Sequence, residues 1–492
     1  MRAVPVQVAI LPRLAPQNAV LAAALAHKIG VGAGATAIRL GRRQWPLVIH
    51  VVRTPGARLW LPPQAAAALG LPGPMRLWVR RVEHELIAGA ASGVGSGAGS
   101  GVAAGGTGVA AAGGSGATAA GSPGAGDGPA TEPAVDADSA GAPGKDPPVV
   151  IDLGPVVGVM AVQRHSTNRL FLEAARARGV LAYLFTPQDV VWEADMVWGR
   201  LPAGRRWLRR PLPWPHVVFD RAVGMAQADG LEAFWRELAV RGTPVFNGDL
   251  GDKWRMHTHL SSYPELRPHL PETRPLDSAE TLRAMLDRWG TVYVKPADGY
   301  MGRGIVQVAR CSPGACRLSF TGRRAPRLVP EAALRTELAP WIAGGCLVQQ
   351  GLDLIRIGGS VCDVRVLALK DGHGRWRVVG TTVRRGVRGR IASNLHQGGQ
   401  TLPFRVFARR VPYPRGAGRL KAAIHHLAGR VLAAVDAAAP LAGDVGVDIG
   451  VDRRGRLWII EVNTKPGRSG KPVRRAVYGL PMDYARFLAG FR

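Results

Sequence analysis

Along the first part of the chain, apolar and polar positions alternate in short runs. From residue 37, AIRLGRRQWPLVIHVVRTPGARLWLPPQAAAALGLPGPMRLWVRRVEHELI sets β-favouring stretches between Gly and Pro punctuation, which predicts a small β-rich N-terminal domain over residues 1–88. His50, Glu83 and His84 stand isolated there and suggest no chemistry. Between 89 and 148 the pattern dissolves into Gly, Ala and Ser, turning to Pro and acidic residues near its end. Such a stretch buries too little apolar surface to offset its ordering entropy, so a disordered linker is expected.

Beyond the linker the period changes. VVGVMAV (156–162) reads as a buried strand, RLFLEAARARG (169–179) as an amphipathic helix stopped by Gly179, and VLAYLF (180–185) as a second strand. HVVFD (216–220), a helix through LEAFWRELAVRG and the run PVFN continue the alternation. Strand, helix, strand in this rhythm predicts a parallel α/β domain over 149–248. Residues 249–492 form the last unit, and the fold class expected is α/β, with α+β lobes in that unit and the small β-rich domain at the N-terminus.

Composition narrows the classes. Of 492 residues 47% are hydrophobic and 20% charged, ordinary for a globular protein. No stretch is apolar and long enough to span a bilayer, and no secretory leader pattern is evident, so a cytoplasmic protein without membrane contact is expected. The four cysteines lack C-x-x-C spacing and are expected to be reduced and mostly buried. The net charge of +29 raises nucleic-acid binding. Yet the arginines are scattered with no aromatic-interleaved basic stripe, and charge of this kind also favours small anions such as nucleotides. The linker holds five acids and one base, so the positive charge belongs to the remainder.

Only eight of the 64 basic residues are lysines. One lies in YVKPADGYMGRGI (293–305), where a strand runs into a loop carrying Gly299, Gly302 and Gly304. Glycines let backbone N–H groups approach phosphate oxygens, and a lysine reaches out as a compact charge. Lys295 is thus a candidate phosphate ligand, although a plain hairpin loop has the same letters. Neither this segment nor GRSGKP (467–472) is a Walker A motif. VGVDIGVDRRGRLWIIEVNTKPG (445–467) reads as a β-hairpin turning at DRRG. Glu461 and Asn463 project from one face of it, and Asp448 falls within a residue of Glu461 on the opposite strand. Two carboxylates and an amide, gathered in an otherwise apolar hairpin, are hard oxygen donors of the kind Mg²⁺ takes. CLVQQGLDL (346–354) breaks at Gln-Gln-Gly as a hinge would, DVRVLAL (363–369) puts Asp363 and Arg365 on one face, and TTVRRGVRGRIASNLHQGG (381–399) gathers arginines, asparagine and glycines in a polar loop.

In this order, with Lys253 in GDKWRMH and LPET at 270–273, these motifs resemble the ATP-grasp carboxylate ligases. SNLHQGG is similar to the matching loop of RimK-type glutamate ligases and glutathione synthetases. The best overall resemblance is to the YheC/YheD family, described as endospore-coat-associated, over roughly residues 149–492. The resemblance implies an ATP-grasp fold over 249–492, preceded by the α/β domain. It implies that Lys253, Lys295 and the loop of Gly299, Gly302 and Gly304 bind the nucleotide phosphates. Gln349, Gln350, Gly351 and Leu352 would meet adenine, mainly through backbone groups, although many relatives carry glutamate where Gln350 stands. Asp448, Glu461 and Asn463 would hold one or two Mg²⁺ ions, and Arg365, Arg384 and Asn394 the transferring phosphoryl group and the acyl phosphate. The activity implied is ADP-forming ligation of a small-molecule carboxylate to an amine, with spore-coat proteins as possible partners. A nucleotide-binding coat component without turnover is the alternative, and a basic nucleic-acid-binding protein the third.

Overall fold

The computed structural model describes residues 3–10, 18–22, 25–26, 28, 31, 34–40, 42–52, 57–72, 75–82, 149–161, 166–222, 231–248, 251–299, 302–322, 325–393, 395, 398–413, 416–468 and 474–491. The expected linker and Asn394 lie outside them.

The N-terminal unit is a closed barrel of seven strands: β1 (Val4–Ile10), β2 (Asn18–Ala22), β3 (Gly34–Leu40), β4 (Arg43–Val52), β5 (Arg58–Leu61), β6 (Met75–Val82) and β7 (Val149–Gly154), in the order β1-β5-β2-β4-β3-β7-β6. This corrects the boundary expected at residue 149. β7 lies beyond the linker in sequence, yet it runs parallel to β3 and antiparallel to β6 and occupies the gap between them. The apolar letters of VVIDLG are equally compatible with either unit; the unpaired edges of β3 and β6 decide. Asp152 at its centre is buried and held by Arg39 at 3.2 Å. Burial works to raise its carboxyl, but His216 and then Arg39 outweigh it and hold it well below the usual range.

The second unit carries β8 (Val156–Met160), β9 (Leu181–Phe185), β10 (Val190–Val191), β11 (Met196–Ala203), β12 (Arg206–Pro213), β13 (Val217–Asp220) and β14 (Val245–Phe246). β9, β8, β13 and β14 are parallel neighbours, as the strand–helix rhythm predicts. The β11–β12 hairpin on the flank is an addition the periodicity did not reveal. The C-terminal helix Arg474–Leu488 also packs here, with Val477, Tyr478, Met482 and Tyr484 in one core with Phe171, Phe219 and Phe246. This helix therefore bridges the second unit and the second sheet of the last one, where Leu367 and Val379 join the same cluster.

Two six-stranded antiparallel sheets follow. The first runs β15 (Thr273–Pro275), β20 (Cys346–Gln350), β16 (Thr291–Pro296), β17 (Val306–Ser312), β18 (Ala315–Phe320), β19 (Arg327–Pro330). It is backed by the helix Ala279–Trp289, which Ser278 caps and Gly290, at φ +64°, ends. The second runs β24 (Gln400–Leu402), β23 (Trp376–Arg385), β22 (Ser360–Lys370), β25 (Asp444–Val451), β26 (Leu457–Asn463), with β21 (Arg356–Ile357) on β22. Val364, Val366, Val445, Val447 and Ile449 bury one face against Leu420, Ile424, Leu427 and Val431 of the helix Gly416–Ala438. Strand alternation then turns Asp363, Arg365, Asp448 and Glu461 to the other face. Three of the four cysteines are buried and Cys311 is exposed; all are free. Among the described residues, no helix is long and apolar enough to cross a membrane.

Candidate nucleotide and metal site

The polar face of the second sheet carries two rows of charge. In one, Arg384 stands directly opposite Asp363. In the other, Arg365, Asp448 and Glu461 follow one another across β22, β25 and β26; a one-residue register shift between Asp448 and Ile449 sets Asp448 opposite Glu461, within the one-residue margin expected from the sequence. Arg384 grips Asp363 through Nε at 2.6 Å and through Nη2, and Nη2 also lies 2.9 Å from Asp448. Arg365 holds Asp448 through Nε and through Nη2 at 2.7 Å. Gly446 permits this approach, since a Cβ there would come within 3.0 Å of the Arg365 side chain. Burial raises the Asp448 carboxyl, but the two guanidinium groups outweigh it and hold it below its ordinary value. Asn463 donates from Nδ2 towards Asp448 at 3.4 Å and Glu461 at 3.3 Å.

The first sheet faces this array across a cleft. Lys295, near the end of β16, donates to Gln349 Oε1 at 2.9 Å, and Gln349 Nε2 in turn donates to Thr273. Burial pulls the Lys295 ammonium down to about 8; Glu461 opposes this and Lys253 adds to it. Lys253 opens the helix Lys253–Ser261, whose first turn is capped by Asp252. Its ammonium meets the carbonyls of Pro296 and Ala297 at 3.3 Å and that of Gly299, with Glu461 at 3.9 Å. Lys253, Lys295, Gly299, Gly302, Gln349, Gln350, Leu352, Arg384, Asp448 and Glu461 all line this cleft. So do Tyr293, Ile305, Leu354 and Ile460, which give it an apolar part beside the charges.

Some expected residues are placed differently. Arg365 is not among the residues lining the cleft; its guanidinium is spent on Asp448. Gly304 is not among them either, and its carbonyl accepts from Trp341 at 2.8 Å. At the hinge, the Gln350 N–H goes to Glu272 O and the Gly351 N–H to Thr291 O, both at 2.8 Å. Gln350 Oε1 accepts from the Glu272 N–H. Two of the backbone donors expected for adenine are thus already committed to neighbouring strands, a matter of pairing that the letters Gln-Gln-Gly do not carry.

The cations Lys253, Lys295, Arg365 and Arg384 stand against the carboxylates Asp363, Asp448 and Glu461, leaving one positive charge for an anion. Among the described residues, no cluster of three or more His, Cys, Asp or Glu gathers that could hold a metal alone. Asp448, Glu461 and Asn463 do supply oxygen donors that suit Mg²⁺, and a cation there would need further oxygens from a ligand. Glu461 fits that role best, because both Asp448 oxygens already have guanidinium partners.

A loop carrying Gly299 and Gly302, two lysines from different elements and a charged sheet face thus meet across one cleft, and the fold is of the ATP-grasp class. The YheC/D like ATP-grasp family model matches residues 242–488, half of the chain, and the protein belongs to that family. The endospore coat-associated protein YheD of Bacillus subtilis (strain 168) is 27% identical over 341 residues, 65% of this chain and 74% of that one. YheC of the same strain, also described as endospore coat-associated, is 23% identical over 348 residues, 68% of this chain and 95% of that one. The solved ATP-grasp ligase PsnB, in complex with a minimal precursor variant, Mg and ADP, is 16% identical with a TM-score of 0.38, covering 68% of this chain and 99% of that one.

The sequence reading missed several residues that shape the site. Asp363, noticed only for its face, anchors Arg384 and accepts from Ser393 at 2.6 Å. Asn247, at φ +59°, donates to the carbonyls of Asp444 and Thr464 and accepts from Gly443 N. It thereby ties the segment after β26 to the second unit. Lys465 was within reach of a sequence signal, because it too is one of the eight lysines.

Proposed function

We propose that the protein is an ATP- and Mg²⁺-dependent ligase that joins a carboxylate to an amine through an acyl phosphate. The observation that carries this reading is the facing of Lys253 and Lys295 on one side of the cleft by Arg384, Asp448 and Glu461 on the other. Phosphoryl transfer needs little covalent help from protein; it needs alignment and neutralised charge. A substrate carboxylate oxygen attacks the γ-phosphorus while the bond to ADP breaks. An amine nitrogen then attacks the acyl carbon, phosphate leaves, and the nitrogen loses a proton. Lys295 and Lys253 bind the nucleotide phosphates, and Gln349 orients Lys295. Arg384, fixed by Asp363, presents a preorganised cation to charge developing at the transferred group. Arg365 acts through Asp448, holding it in place. Mg²⁺ bound at Glu461, Asn463 and Asp448 would add neutralisation of phosphate charge. No Ser, Cys or His nucleophile is needed.

Coat association is supported by the descriptions of the two relatives and does not compete with ligation. The decisive experiment incubates the purified protein with Mg²⁺, ATP and pools of carboxylates and amines, and measures ADP. Release that depends on both pools, and that Glu461→Gln abolishes, supports the ligase. Nucleotide binding without ADP release under any pool would leave a nucleotide-binding coat component instead.

A further inference from the structure

A second, wider cleft of about 1480 Å³ adjoins the nucleotide site and shares Lys253, Lys295, Gln349 and Glu461 with it. That volume exceeds the roughly 300–1,000 Å³ of ordinary small-ligand pockets, which favours a chain-like occupant over a single amino acid. Its apolar walls come from two helices, with Leu231 and Trp235 on one and Met256 and Leu260 on the other. At its floor, two residues past Asn463, lies Lys465.

Lys465 donates to Asp220 Oδ2 at 2.7 Å and to Ala222 O at 2.8 Å. An ammonium has three protons, and among the described residues the third has no acceptor. Next to this pair, Asp444 is fully buried between Arg221 at 3.2 Å and Arg468 at 2.7 Å. Lys465, Arg221 and Arg468 thus stand against Asp220 and Asp444, an excess of one buried positive charge. Among the described residues, Arg221 Nε, Arg468 Nε and Asp444 Oδ1 are buried without hydrogen-bond partners. Burial, and then Arg468, pull Arg221 down to about 10. Arg221, Arg468 and Asp444 lie behind the cleft and not among its lining residues, so Lys465, whose side chain is 20% exposed, is the cation of this cluster that an incoming anion meets.

We propose that this wide cleft binds a peptide-like substrate and that Lys465 takes one of its carboxylates. The inference rests on the ligase reading and deepens it, by naming the class of substrate and the residue that selects it. A rival account makes the Lys465–Asp220 bridge only a brace that holds the segment after β26 to the second unit. The two accounts differ in sign. A brace is broken equally by removing either partner. A carboxylate-binding lysine loses its selectivity when the ammonium goes and keeps it when the counter-carboxylate goes.

The test uses the full chain saturated with Mg²⁺ and ADP, with tri-alanine and tri-alanine amide as probes and calorimetry as the readout. Wild type is expected to bind the acid at least about tenfold more tightly than the amide, the preference expected of one charge-assisted contact. Lys465→Met should bring the two within about twofold, with ADP affinity unchanged, while Asp220→Asn keeps or enlarges the preference. No preference in wild type, a preference surviving Lys465→Met, or its loss in Asp220→Asn overturns the proposal. Should Lys465→Met not fold, Asp220→Asn decides alone. Failure of wild type to bind ADP would instead overturn the nucleotide site itself.

Discussion

Lys295 offers the sharpest test of the nucleotide site, because its ammonium titrates within reach of ordinary buffers. Burial pulls it down to about 8 in the unliganded protein. Nucleotide phosphates require it charged, so binding must restore the proton wherever it has been lost. With a value of about 8, roughly one-tenth of the lysine is neutral at pH 7 and about nine-tenths at pH 9. Binding of ATP should therefore take up about 0.1 proton at pH 7 and about 0.9 at pH 9, and its Kd should weaken about tenfold over that interval. The nucleotide phosphates themselves titrate near pH 6 and contribute little there. Calorimetry in buffers of different ionisation enthalpy reads the uptake directly, and Lys295→Met should remove it. Stability provides an independent readout. The folded value lies below the ordinary 10.5, so the unfolded chain binds more protons between pH 8 and 10.5 and stability rises through that window. The full gain is about 3 kcal/mol. Equal proton uptake at pH 7 and 9, or uptake that persists in Lys295→Met, would refute the assignment of Lys295 as the phosphate-binding lysine.

Glu461→Gln and Asp448→Asn should part company. Both lose Mg²⁺-dependent ADP formation, but only Asp448→Asn, which strands Arg365 and leaves Arg384 with Asp363 alone, should also lower stability, by about 3–5 kcal/mol in denaturant titration. Arg384→Ala leaves Asp363 buried without its bidentate partner, so a comparable loss of stability should accompany a roughly 100-fold or greater fall in turnover, the scale of one lost transition-state donor. Unchanged unfolding midpoints would mean that the ion pairs are not those described. For the barrel, residues 1–88 alone lack β7 and should not fold cooperatively. The same segment joined by a short linker to 149–154 should give a cooperative melt by circular dichroism, and the reverse result would remove β7 from the barrel.

The sequence by itself determined most of the elements and which way the candidate residues face. Strand periodicity places Asp448, Glu461 and Asn463 on one face, and counting across the DRRG turn brings Asp448 within a residue of Glu461; the register shift between Asp448 and Ile449 that sets the two directly opposite is not legible in the turn. The scarcity of lysine, with the glycine loop beside it, singled out Lys295, and the family resemblance added Lys253. Only the tertiary structure decided what joins segments far apart in the chain. β7 closes a barrel whose other strands precede the linker, since pairing depends on which edges remain open and not on the letters of VVIDLG. The final helix returns to the second unit because its apolar face matches Phe171 and Phe219. Arg365 and Arg384 turned out to be partners of Asp448 and Asp363, which strand neighbourhood alone could reveal. The hinge donors of Gln350 and Gly351 proved to be committed to Glu272 and Thr291 for the same reason. Local pattern fixes which way a side chain faces; the charge it meets there is set by strands that arrive from elsewhere in the chain.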